Sequence, residues 1–218
     1  MVGERMSWTR VHRWLAIVLV VPLVVWSVSG LLFHLKPGWS RAYDMLDAER
    51  PVLSTTSVAP IATIAATFPA KISKVELFDT AIGPLYRVTT ESGTELVDAV
   101  GATRRSPLSA DDAKALAVDA VTRSAERAGY GIVIGTEVTE RVVHVKFEHA
   151  TVDVGRASAR LSQRGSDTDR IDWLYRIHYL QWTGNKAVDK VLVALGLALI
   201  WAVMLPGIVL FVRRAVRR

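Results

Sequence analysis

Three observations predict a membrane α+β protein in which two transmembrane helices flank an exported domain. Two apolar runs lie near the ends of the chain, at residues 14–35 and 188–212. Each is long enough to cross a bilayer, since about 20 apolar residues span a hydrocarbon core of about 30 Å. Basic residues stand outside both runs: Arg5, Arg10 and Arg13 before the first, and Arg213, Arg214, Arg217 and Arg218 after the second. Flanks rich in Lys and Arg stay in the cytoplasm, which puts both termini inside and residues 36–187 on the far side. Between the runs, a helix followed by three short strands occurs twice.

The first run is too long for the apolar region of a secretory signal, and His34-Leu35-Lys36-Pro37 stands where a small-x-small cleavage site would be. An uncleaved anchor is therefore expected rather than a removed leader. Pro22 should kink this span locally. Ser27 and Gly30 form a small-x-x-small pair that would let another helix approach closely. A connector follows at 36–56, in which residues 39–46 look amphipathic and are expected along the outer surface.

The globular pattern starts at Ser57. Pro60 suits a first helical turn, and Ile61, Ile64, Ala65 and Phe68 follow at helical spacing. Three strand-like runs come next, at 73–79, 85–90 and 95–100, separated by Gly83-Pro84 and Ser92-Gly93. The pattern then repeats. Ser109 with Asp112 reads as a helix start, and Ala113, Leu116, Ala117, Ala120 and Val121 make one apolar face. Strands are predicted at 132–139, 142–148 and 151–155. In the second of these Val143, Val145 and Phe147 alternate with His144, Lys146 and Glu148. Residues 156–172 read as a polar loop or short exposed helix, and 173–182 as an aromatic interfacial segment. The organisation expected is a tail (1–13), a first span (14–35), a connector (36–56), two α-βββ units (57–105 and 106–156), a loop with the interfacial segment (157–187), a second span (188–212) and a tail (213–218).

Composition limits the chemistry. The net charge is +6, but the two tails hold seven basic residues and one acid, Glu4, so residues 14–212 carry equal numbers of both signs. The basic excess is thus a topology signal and not a nucleic-acid footprint. The chain has no cysteine, which excludes disulfides, thiolate catalysis, iron–sulfur ligation and covalent c-type haem. No nucleophile elbow, HExxH, phosphate loop or dinucleotide fingerprint is present.

The helix start S-A-D-D-A-K-A-L-A at 109–117 with its small meander resembles the PepSY domain. The entries R-V-H-R-W at 10–14 and L-Y-R-I-H-Y-L-Q-W at 174–182 resemble the PepSY-associated transmembrane family. The resemblance implies two PepSY-like α-βββ units in a bacterial inner membrane and a link to iron uptake. Larger members with four spans resemble ferric-siderophore reductases that hold b-type haem between histidines; this chain has two spans.

Histidine placement is the chemistry to weigh. His34 and His178 both fall at the expected outer membrane face, where bis-histidine ligation of haem b would need two facing imidazoles in an apolar site. Phe33, Trp26, Trp173 and Tyr179 could wall a porphyrin; the plainer reading is interfacial anchoring. His12 stands 22 residues before His34, roughly 33 Å and about 40° away on an ideal helix. It has no companion at the inner face, so as a ligand it would need a second copy; otherwise it belongs to the basic anchor. A homodimer or larger complex would supply four helices. His144, Glu148, His149 and Asp153 fit no zinc spacing and read as a solvated face. Two functions stay open: a haem-carrying accessory to electron transfer or ferric-chelate reduction, and a membrane-tethered binding module without redox chemistry.

Overall fold

A computed structural model gives the structure of the chain, which describes residues 8–53 and 57–216. Glu4, Arg5, Arg217, Arg218 and connector residues 54–56 lie outside the described residues. The protein is mixed α+β and divides into two compact units. A helical unit comprises Met1–Pro37 and Arg170–Arg218, and a sheet unit comprises Gly38–Asp169.

In the helical unit, α1 (Trp8–Leu35) packs on α5 (Lys186–Val216). Both are long and apolar enough to cross a membrane. Their apolar windows have mean hydropathy 2.6 and 2.5, yet only 6% and 0% of each is buried within the protein. A soluble core helix would bury most of such a surface, whereas apolar side chains facing lipid need no protein cover. Both helices run on through their prolines, Pro22 and Pro206, without interruption.

A further helix, α4 (Ser166–His178), ends where the chain turns into the left-handed region at Leu180, φ +54°. The N–H of Gln181 reaches back to the Arg176 carbonyl at 2.8 Å, closing the turn two residues after His178. Thr183-Gly184-Asn185 follow this turn. Those residues lead into α5: Asn185 Oδ1 accepts from Ala187 N, and the buried Asp189 carboxylate accepts from Thr183 N and Oγ1. These bonds satisfy donors at a helix start that has no intrahelical partners for them.

The sheet unit holds two antiparallel sheets, each preceded by a helix. The short helix α2 (Ile61–Ala66) precedes the antiparallel meander β1 (Ile72–Phe78), β2 (Leu85–Thr90) and β3 (Gly93–Asp98). The longer α3 (Ala110–Arg123) starts at Ser109, whose Oγ accepts from Asp112 N at 3.0 Å. It precedes β4 (Val133–Val138), β5 (Val142–Phe147), β6 (Ala150–Gly155) and β7 (Leu161–Gly165), again antiparallel in sequence order. Helix–strand–strand–strand is thus followed by helix and four strands.

Strand alternation decides which face packs where. Tyr86, Val88 and Val97 point to Ile64 and Phe68 beneath α2. Leu85, Leu96 and Phe78 point the other way and join Leu116 and Ala117 of α3 with Val143, Val145, Val152 and Val154 of the second sheet. One face of the first sheet therefore joins α3 and the second sheet in a common core, while its other face packs a separate cluster beneath α2. Arg87 stands on that shared face, 5% exposed. Its guanidinium lies over Phe78, reaches Glu49 at 3.1 Å and donates to the Ser158 carbonyl in the β6–β7 turn.

One segment departs from expectation. Residues 161–165 are a strand, β7, paired to β6 from Ala150↔Gly165 to Val154↔Leu161, where a loop or helix was predicted. The connector packs on the sheet unit. It makes a 3-10 turn at Ser40–Tyr43, and Arg41 and Ala48 are buried in the sheet unit, with Leu46 packed against its core.

Asp119 on α3 binds Arg50 of the connector at 2.6 Å and Arg123 at 2.9 Å. The Arg50 hydrogen bonds, opposed by partial burial and aided by Arg123, hold its carboxyl below the usual range. A carboxyl depressed in the folded state contributes stability above its unfolded value of about 4, and that contribution is lost as pH falls through the folded value. Asp119→Asn should therefore lower the urea midpoint of the detergent-solubilised chain near neutral pH, with the difference from wild type vanishing in acid.

Candidate functional site

Trp26, Ser29, Gly30 and Phe33 lie at helical spacing on α1 and face α4. His178 sits on this stripe. Its ring is stacked on Trp26 with centroids 5.3 Å apart and planes 10° apart, and it meets Phe33 edge-on at 5.3 Å. A Cβ added at Gly30 would stand 3.5 Å from His178 Cε1. Tyr179 also lies edge-on to the ring, and Tyr175 packs on Phe33. The Nδ1 atom is 2.9 Å from the hydroxyl of Ser29, which is 2% exposed.

His34 is exposed and stands elsewhere on α1. At about 100° per residue, it falls roughly 90° around the helix from the centre of that stripe. His34 and His178 share an end of the helix pair but do not form a facing pair of imidazoles within one chain. The apolar notch beside the seam, lined by Pro22, Trp26, Ile177, Leu180 and Trp182 among others, holds about 150 Å³. Sites for drug-sized cofactors run to about 300–1,000 Å³. The residues of a single chain therefore supply one well-held imidazole for a haem and neither the second ligand nor the space.

At the other end of the helix pair, His12 of α1 packs on α5. A Cβ at Gly207 would stand 3.4 Å from its Cε1, and its Nδ1 is buried with no hydrogen-bond partner among the described residues. Each end of the pair thus seats one histidine against a glycine of a neighbouring helix. Within the chain, Ser29 and Gly30 make the close approach to His178. Ser27 is exposed, and Gly30 is already covered by His178 of the same chain.

The sheet unit has a second candidate, an open cleft of about 530 Å³ lined by Ser40, Arg41, Glu126, Glu148, His149 and Asp167 among others. Arg41 forms its floor. The guanidinium donates to the carbonyls of Gly129 and His149, pairs with Asp167 at 3.1 Å and lies near the Tyr130 ring. Below it the Gln163 amide donates to the carbonyls of Arg41 and Asp44. The Tyr130 hydroxyl shares its proton between Gln163 Oε1 at 2.6 Å and Asp44 Oδ2 at 2.9 Å. Burial, reinforced by the Asp44 carboxylate, raises the Tyr130 phenol far above its ordinary value. Gly165 makes room for this arrangement: a Cβ there would meet the His149 carbonyl at 2.9 Å and Arg41 Nη2 at 3.1 Å.

His144 and Asp153, opposite each other on β5 and β6, pair at 2.6 Å. Glu148 accepts from the N–H of Ile132, and His149 lies at the cleft. These residues do not converge, and no group of three or more His, Asp or Glu with metal-holding geometry occurs among the described residues.

No protein-family model, curated protein or solved structure matches the chain.

Removing one partner of a buried, hydrogen-bonded charge leaves the others unpaired, at a cost of about 3–5 kcal/mol. Arg41→Ala should destabilise the sheet unit by about that amount and deprotect the β7 amides first in hydrogen exchange.

Proposed function

We propose that this chain is a membrane-anchored, PepSY-like binding module. Two spans tether an extracytoplasmic α+β domain that contacts a protein or peptide partner, both termini being cytoplasmic in a bacterial inner membrane. The topology rests on the basic flanks and the family on the resemblance of residues 109–117, 10–14 and 174–182. The observation that carries the preference for a tether is the position of His34. Because it is exposed and about 90° from the stripe that seats His178, one chain offers a single ordered imidazole at that end. The open cleft at Arg41, bordered by Glu126 and Glu148, is the candidate contact surface.

A second reading has its own observation in favour. His178 is held by Ser29 and walled by aromatic rings, as an imidazole ligand would be. On this reading two copies share a haem b, with His178 as one ligand and the second from the partner copy, His12 filling the same role at the inner end. The assembly would serve electron transfer or reduction of a ferric chelate.

Growth separates the two. A deletion strain given a ferric chelate as its sole iron source should grow like its parent. A growth defect rescued by the wild-type gene but not by His178→Ala would replace the tether with the redox reading.

A further inference from the structure

Among the described residues the two sheets present four strand edges, and three of them are protected. Beside β3, Arg105 N donates to the Leu96 carbonyl, Asp98 N to that of Thr103, and Leu96 N to Ser106 Oγ. Beside β7, the Gln163 amide holds the Arg41 and Asp44 carbonyls. β1 carries two charged side chains, Lys74 and Glu76, and Arg50 N donates to the Asp79 carbonyl just past its end. Cover and charge both stop a sheet edge from pairing with another chain. β4 has no such cover. Among the described residues, no backbone hydrogen bond from outside the β4–β5 hairpin reaches Val133–Val138. Its one charged side chain, Glu137, is drawn toward Lys146 of β5 at 2.8 Å. Its apolar side chains are also uncovered. Thr136 and Val138 pair with Val145 and Val143, which are fully buried, yet Thr136 is exposed and Val138 is 50% exposed. Ile134 falls at the bulge between Val133 and Gly135, outside the register with β5, and is 64% exposed. The core layer that Val143 and Val145 begin is thus left open at β4.

We propose that the free edge of β4 pairs antiparallel with β4 of a second copy of this chain, about a two-fold axis at Thr136, joining two four-stranded sheets into one of eight. Only an extended backbone satisfies a row of strand N–H and C=O groups, so the occupant of this edge is a strand. The sequence of β4 makes β4 itself that strand. With Thr136 opposite Thr136, Ile134 falls opposite the partner's Val138, Val138 opposite the partner's Ile134, and Glu137 opposite the partner's Gly135. Two apolar pairs and one threonine pair form, and no like charges meet. Gly135 leaves the room required: a Cβ there would touch nothing within 4 Å, so the position admits the partner's Glu137. Moving the axis to Glu137 would set carboxylate against carboxylate, and moving it to Gly135 would set Glu137 against the partner's Val133. A two-fold repeats every contact, which is the self-complementarity a closed dimer needs. This interface lies wholly within the sheet unit and holds under either reading of the helical unit.

The chain has no cysteine, so a single introduced one reports its own neighbours. Thr136→Cys would lie opposite itself, at the separation of about 4.5–5.5 Å between paired Cα atoms, within disulfide range. The full chain carrying Thr136→Cys, in membranes of the expressing cells, should give a disulfide-linked dimer on mild oxidation with copper phenanthroline. Ser162→Cys, exposed on β7, should stay monomeric, which separates strand pairing from crowding or from contact through the helical unit. Glu137→Cys, two residues out of register with itself, should link poorly, since a disulfide cannot form beyond about 7 Å between Cα atoms. Adding Ile134→Lys to Thr136→Cys disrupts both apolar pairs and charges the edge. It should cut the linked fraction about tenfold with the circular dichroism unchanged. Equal linking at Thr136→Cys and Ser162→Cys would overturn the proposal. So would linking at Thr136→Cys that Ile134→Lys leaves untouched. An adduct of Thr136→Cys with a different polypeptide, and none with itself, would overturn the second copy as the occupant.

Discussion

Arg41 carries a full charge into the sheet unit, and the arrangement of that unit depends on where its donors go. Two carbonyls, one carboxylate and the face of Tyr130 receive the guanidinium, while Gln163 of β7 grips the Arg41 backbone. The first residues of the connector, the loop after α3, the β5–β6 turn and the start of α4 are thereby tied at one point. A buried cation is tolerated only with its hydrogen-bonding capacity met, so the geometry of all four segments is mutually determined. Gly165 belongs to the same constraint, since any side chain there would press on both Arg41 and the β5–β6 turn.

The helical unit works differently. Its outward surface is apolar and its few polar groups are concentrated where helices touch. Ser29 and His178 satisfy each other at one end, while His12 rests on Gly207 at the other. Small residues let the imidazoles approach a neighbouring helix closely, Gly30 at His178 and Gly207 at His12. Within one chain, His178 is seated beside Ser29 and Gly30 and His12 beside Gly207, while His34 is exposed.

Much of the fold is legible in the sequence where local pattern and tertiary role agree. The alternation of Val143, Val145 and Phe147 places β5, and Ser109 with the apolar face of Leu116 and Val121 places α3, because buried side chains there recur at strand or helix period. β7 escapes this reading. Leu161–Gly165 is polar and edge-placed, and it is a strand only because β6 offers it a ladder. The connector escapes because its anchors, the buried Arg41 and the half-buried Asp44, are residues that pattern assigns to solvent. At the candidate site, His178 was recognisable but its partner was not. Matching histidines by depth alone pairs His178 with His34, whereas the angular position of His34 relative to Trp26, Ser29, Gly30 and Phe33 separates them. That stripe is visible in the sequence, and applying the helical angle to it would have pointed to Ser29.

The central claim, one ordered imidazole at each end of the helix pair in a single chain, is tested most directly by optical spectroscopy on a monomeric fraction. The protein would be expressed with ample haem, purified in mild detergent and isolated by size, then recorded oxidised and dithionite-reduced with a haem assay per chain. The account predicts no low-spin b-type spectrum from monomers. A sharp low-spin Soret band at one haem per monomer, abolished in both His34→Ala and His178→Ala, would contradict it, because that spectrum needs two facing imidazoles in one chain.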